Sequence, residues 1–173
     1  MERAERFYLG VDAVLLQASR IGQLPLQSTL TAVFTAGPEL FFAHVGHSRA
    51  FLFRNGVLLR LTRDHTLARE RSKSAPLVDV ALCPPDLHHV VTEVMGTAVP
   101  GGPRIDIERC GLLDGDVVLL CTNGLTDSLH DAQIVGVLGR DGSPDDQCRA
   151  LVDLAVSAAG DDDVTALVAR YRL

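Results

Sequence analysis

Gly115-Asp116-Val117-Val118-Leu119-Leu120-Cys121-Thr122-Asn123-Gly124-Leu125-Thr126-Asp127 is the stretch on which the reading of this chain turns. Its five apolar residues, 117–121, have the length of a buried strand, and the polar Thr122-Asn123-Gly124 ends it abruptly. Asn and Gly both tolerate positive φ, so the spacing predicts a tight turn at Asn123-Gly124 that needs no ligand to hold its shape.

Working outward, residues 50–53 and 57–61 flank Asn55-Gly56, the strongest short-range hairpin signal in the chain. Residues 29–35 alternate, with Leu30, Ala32 and Phe34 on one face, and an apolar run over 40–45 follows across Gly37-Pro38. Further strands are predicted at 90–95, 105–109 and 164–171. Val11, Val14, Leu15, Ala18 and Ile21 recur at helical spacing, which predicts one amphipathic helix ended by Gly22 and Pro25. Residues 67–73 read as a polar helical piece, followed by a loop broken at Pro76, Pro84 and Pro85. After the Asn123 turn come a short helix, 131–138, and a longer one, 144–159. The longer helix has Ser143 as N-cap, Pro144 at its first position, Asp145 and Asp146 in its first turn and Gly160 at its close. Many antiparallel strands with segregated helices make an α+β fold.

At 173 residues the chain has the size of a single domain, spanning 1–173. Hydrophobic residues make up 47% and charged residues 22%, a mixture that excludes a disordered chain. The net charge of −6 argues against nucleic-acid binding, which needs clustered basic residues. No apolar run approaches a membrane span, so the expectation is a soluble, cytoplasmic protein with no membrane partner. Cys83, Cys110, Cys121 and Cys148 are far apart with no C-x-x-C pair, the pattern of reduced thiols rather than a zinc site.

Several segments, in order, resemble the PP2C-type (PPM) metal-dependent protein serine/threonine phosphatases. Leu26-Gln27-Ser28-Thr29-Leu30 is similar to the family's "MGTTL", Val45-Gly46-His47-Ser48-Arg49-Ala50 to "VGDSRA", and Leu61-Thr62-Arg63-Asp64-His65-Thr66 to "LTxDHS". Val91-Thr92-Glu93-Val94-Met95-Gly96 resembles "LTRALG". The stretch from Gly115 to Asp127 resembles "GDxLLLCSDGLTD", and Gly160-Asp161-Asp162-Asp163-Val164-Thr165 resembles "GxxDNVT". The resemblance covers about 26–173. It implies a sandwich of two antiparallel β-sheets flanked by helices, here lacking the family's N-terminal strands, with a binuclear Mg or Mn site at one end.

Metal-assisted phosphate ester hydrolysis needs a nucleophilic hydroxide and charge neutralisation, which two divalent cations supply when several carboxylates hold them. The resemblance assigns metal positions to Asp162, which keeps its carboxylate, to Asn123, where the family has Asp, and to His47, at the "GDSR" aspartate. No "DGxGG" occurs, and the only early acidic candidate, Asp12, lies in a helical pattern. Asp162 reads either as a remnant ligand or as a turn-capping residue, and His47 as a ligand or a satisfied polar side chain. No residue is assigned a catalytic role. The resemblance thus implies a phosphatase-like domain with degenerate metal ligands and with Mg or Mn absent or weakly bound. Such a domain would bind a phosphoprotein or regulatory partner, or self-associate. The alternative is an active phosphatase whose metal site a partner chain or an N-terminal segment completes.

Overall fold

A computed structural model describes residues 2–74, 79–158 and 162–173. It shows an α+β fold with two antiparallel sheets, strand orders β1-β2-β5 and β4-β3-β6-β7. The strands are β1 (Leu30–Ala36), β2 (Glu39–Val45), β3 (Arg49–Arg54), β4 (Val57–Arg60), β5 (Asp106–Gly111), β6 (Val117–Cys121) and β7 (Ala166–Arg170). The helices are α1 (Glu2–Gly22), α2 (Leu67–Ser74), α3 (Asp86–His89), α4 (Asn123–Ser128), α5 (Asp131–Leu138) and α6 (Pro144–Ser157). Among the described residues no strand precedes Leu30, and no helix is long and apolar enough to cross a membrane. Pro76, Gly160 and Asp161 lie outside the described residues. The chain divides into two compact units: residues 1–33, 41–47 and 64–108, and residues 34–40, 48–63 and 109–173.

In the first unit, α1 carries Glu2 and Glu5 in its first turn and Arg20 in its last, charges that complement the helix dipole. Its inward face is Ala4, Tyr8, Val11 and Leu15, packed with Leu30, Ala32, Ala43, Val45, Met95, Ile105 and Ile107. The Tyr8 hydroxyl donates to the Ala43 carbonyl at 2.6 Å, so the ring can be buried without leaving its polar end unpaired. Val14 and Ile21, expected on the buried stripe, are 65% and 77% exposed. Asp12 takes the interior position instead, its Oδ1 accepting the Gly96 N–H at 2.7 Å. Residues 90–95 do not form the expected strand. They make two isolated bridges, Thr66–Val91 and Ser28–Met95, because their hydrogen bonds go to two different segments and no continuous ladder can grow.

Two histidines are buried in this unit, 1% exposed each, with ring centroids 4.9 Å apart. His44 Nδ1 lies 2.8 Å from Thr31 Oγ1. His65 Nδ1 accepts the Gly46 N–H at 3.2 Å, and its Nε2 lies 3.1 Å from Asp106 Oδ2. Burial, reinforced by the His65 ring, lowers the His44 pKa to about 4.

In the second unit the Asn55-Gly56 hairpin forms as expected, both residues with positive φ (50° and 80°), as a type I′ turn requires. It pairs β3 with β4, and β3 continues against β6 and β6 against β7, with Phe51 opposite Leu119 and Leu119 opposite Val168. Alternation along β6 points Val117, Leu119 and Cys121 onto Leu125, Ile134, Val137, Leu138, Leu151 and Ala155 of α4, α5 and α6 and onto Leu129 between α4 and α5. Ser143 caps α6, its Oγ accepting the Asp146 N–H at 3.1 Å, in a capping box with Pro144 behind it. The loop into β6 is fixed by Asp116, 2% exposed, which accepts from Arg54 Nε (2.8 Å) and Nη2 (2.6 Å) and from the Leu113 N–H (2.8 Å). This bidentate guanidinium holds the Asp116 carboxyl below its usual range.

Candidate functional site

Strand β6 delivers the chain to Thr122, whose backbone N–H donates to the Thr165 carbonyl at 3.1 Å. The Thr122 hydroxyl donates to the Asp163 carbonyl (3.1 Å) and accepts the Thr165 N–H (3.0 Å). These three bonds fasten the end of β6 to the segment that enters β7. Thr122 sits at the N-cap of α4 in an extended conformation. Asn123 and Gly124 are therefore the first two helical residues, not the positive-φ turn that their identities suggest. Glycine is needed at 124 for another reason: a Cβ there would lie 2.6 Å from the Asp163 carbonyl oxygen.

The Asn123 side chain leaves the first turn of α4 half-buried and meets two carboxylates. Its Nδ2 donates to Asp162 Oδ2 at 2.9 Å and to Asp127 Oδ2 at 3.0 Å. Ionised carboxylates only accept, so the amide must present its nitrogen, and its oxygen is turned away from both. Asp162 Oδ1 in turn accepts the Asp163 N–H at 2.8 Å. Both oxygens of Asp162 are thus engaged by protein donors.

Asn123 and Asp162 are therefore brought together, 39 residues apart in sequence. His47 lies in the first unit, half-buried just after β2. Asp12 accepts the Gly96 N–H and lies in the first unit. The residue that sequence reasoning passed over is Asp127. Its signal was present: once 123–128 is helical, positions i and i+4 share a face, and Asn123 and Asp127 must meet.

The donor set does not suit a hard divalent cation. Mg²⁺ binds oxygen at about 2.0–2.1 Å and Mn²⁺ likewise prefers oxygen ligands, whereas the group between the two carboxylates is an N–H₂ at 2.9–3.0 Å. Among the described residues no group of three or more His, Cys, Asp or Glu side chains is arranged to hold a metal.

The protein phosphatase 2C family profile matches residues 14–73. The structure of a Streptococcus agalactiae serine/threonine phosphatase is 30% identical and superposes with a TM-score of 0.83, covering 94% of this chain and 67% of that one. The chain belongs to the protein phosphatase 2C family. A putative protein phosphatase 2C-type of Streptococcus pyogenes is 29% identical over 138 residues, 80% of this chain and 55% of that protein. The catalytic domain of the serine/threonine protein phosphatase PstP, solved in complex with two manganese ions, is 26% identical with a TM-score of 0.77, covering 94% of this chain and 67% of that one. This PP2C-type chain spans less than two thirds of the length of the curated relatives that it matches first.

Proposed function

We propose that this PP2C-type domain is a phosphatase-like module without metal-dependent turnover of its own, which works by binding a phosphoprotein or a regulatory partner. The observation that carries this reading is the state of Asp162. It is the one carboxylate retained among the metal positions Asp162, Asn123 and His47, and both of its oxygens are already satisfied by Asn123 and the Asp163 N–H. Its neighbour Asn123 contributes no charge, and His47 offers a neutral nitrogen poorly matched to Mg²⁺ or Mn²⁺. Two divalent cations held close together need more anionic oxygen than these positions supply.

The test is hydrolysis of a generic aryl phosphate and of a phosphothreonine peptide with Mn²⁺ in excess. The expected result is no turnover above the Asp162→Ala variant. Robust Mn²⁺-dependent hydrolysis that Asp162→Ala abolishes would refute the reading.

The second reading is a working phosphatase completed by another polypeptide segment. The length comparison favours it, because more than a third of each of these relatives' own length lies outside the stretch that this chain matches. Strand β7 also ends its sheet, and an end strand offers backbone groups to an added strand. If this reading holds, supplying the N-terminal strands of a relative as a separate polypeptide confers Mn²⁺-dependent hydrolysis on the mixture. An inert mixture in which the two polypeptides do associate eliminates it.

A further inference from the structure

Two carboxylates that converge on one point repel each other unless something positive or hydrogen-donating lies between them. At the end of β6 the converging groups are Asp127 from the fourth residue after Asn123 on α4, and Asp162 from the segment before β7. The group between them is the Asn123 carboxamide, with Nδ2 bonds of 3.0 and 2.9 Å. Its two N–H bonds point at two acceptors, and each bond to a charged oxygen is the stronger kind.

We propose that the Asn123 carboxamide acts as a built-in substitute for a divalent cation, bridging Asp127 and Asp162 so that this corner closes without metal. The inference deepens the proposed function, on whose reading of Asp162 it rests, and concerns what holds the corner together rather than turnover. The geometry is specific about why amide and metal exclude each other. A hard cation draws oxygens to about 2.0–2.1 Å, nearly an ångström closer than the amide nitrogen holds them, and it cannot share the space with two N–H protons. The amide also costs no cation and no protonation equilibrium, so the bridge does not depend on metal supply. Thr122 and Gly124 fix the backbone on either side of Asn123 through Asp163 and Thr165, so the side chain is aimed at the carboxylates by the main chain. Replacing the amide by a carboxylate then keeps the geometry and inverts the requirement: three carboxylates meet where the amide stood, and a cation or a proton is needed to offset their repulsion.

The experiment compares the wild type with Asn123→Asp, in EDTA and in Mn²⁺, by thermal unfolding and by the electron paramagnetic resonance signal of free Mn²⁺. The wild type should show the same Tm in both conditions and take up no Mn²⁺. Asn123→Asp should melt lower than the wild type in EDTA, bind Mn²⁺, and gain about 2–4 °C in Tm once Mn²⁺ reaches about five times its Kd. Adding Asp162→Asn to Asn123→Asp should remove that gain. If Asn123→Asp does not fold in EDTA, refolding yield with and without Mn²⁺ reads the same quantity, and recovery only with Mn²⁺ supports the proposal. A wild type that binds Mn²⁺ and gains Tm as the variant does overturns it, as does a variant that is indifferent to Mn²⁺ or refolds in neither condition. These outcomes are separable from those of the proposed function, which is decided by hydrolysis by the wild type against Asp162→Ala.

Discussion

Acidification should destabilise this protein well before its carboxylates titrate, and His44 is the reason. The side chain is 1% exposed, and its pKa falls from 6.5 to about 4. Burial is the largest cause and the facing His65 ring adds to it; Asp64, the Gly46 backbone and Asp106 pull the other way without prevailing. The unfolded chain binds a proton at this position near pH 6.5 and the folded chain only near pH 4, so between those values the unfolded state holds more protons. Stability from this group is therefore complete above about pH 6.5 and is lost as the pH falls toward 4. The full difference is about 3 kcal/mol at 1.36 kcal/mol per pKa unit, and about 2 kcal/mol of it is lost between pH 7.5 and 5.0. With a urea m-value of about 2 kcal/mol/M for a chain of this size, the midpoint should fall by about 1 M over that range. Far-UV circular dichroism in urea at the two pH values measures it, with His44→Gln as the control. Glutamine keeps a polar partner for Thr31 and cannot charge, so the variant should be less stable at pH 7.5 yet lose much less on acidification. If the two proteins lose stability in parallel between pH 7.5 and 5.0, burial of His44 is not the source and the reasoning fails.

Asp116→Asn should lower stability by about 2–3 kcal/mol at pH 7, because it leaves the Arg54 guanidinium without its buried partner. The Arg54 hydrogen bond holds the Asp116 carboxyl below its usual value, so the cost is fully present above pH 4 and shrinks as the pH falls through the folded value; urea midpoints at pH 7 and pH 3 check the sign. Glycine-to-alanine changes in α4 and α5 should have opposite signs. Gly136→Ala, with open space where its Cβ would lie, should gain up to about 1 kcal/mol of helix propensity, while Gly124→Ala should lose about 1–3 kcal/mol because its Cβ would press on the Asp163 carbonyl; thermal melts of the pair measure both.

The strands and helices of the second unit were legible because their local signals agree with one another. An apolar run, an Asn-Gly hairpin and a Ser-Pro-Asp-Asp helix start each specify one conformation, and tertiary packing only selects among them. Residues 90–95 were misread because alternation reports which side chains are apolar, not whether one neighbouring strand is available along the whole segment. The α1 stripe was misread for a related reason. Apolar spacing includes Val14 and Ile21, but the inward face is set by Tyr8 and Asp12, whose polar atoms have partners on Ala43 and Gly96 that no local pattern reveals. At the site, the identities of Asn123 and Asp162 were legible from the family resemblance, and their contact was not. Reading Asn-Gly as a positive-φ turn hid the helical register that brings Asp127 to Asn123. The glycine there answers to a carbonyl 39 residues away in sequence, at Asp163, rather than to its own φ.

That last point bears on how such a corner can change its chemistry while keeping its shape. The backbone between β6 and α4 is held by the Thr122 hydroxyl, by the Thr122 N–H and by the close approach at Gly124, none of which involves the side chain at 123. A residue whose backbone is fixed by its neighbours can exchange carboxylate for carboxamide at little cost to the fold. The isosteric exchange removes one negative charge and adds two donors. With Asp127 and Asp162 already in place, those donors have acceptors waiting at hydrogen-bond distance, so the neutral side chain joins two segments that acidic side chains alone would drive apart. On this proposal the same three positions allow two corners, the one that the Asn123 amide closes and one that a cation would close in Asn123→Asp, and the identity of a single side-chain atom decides between them.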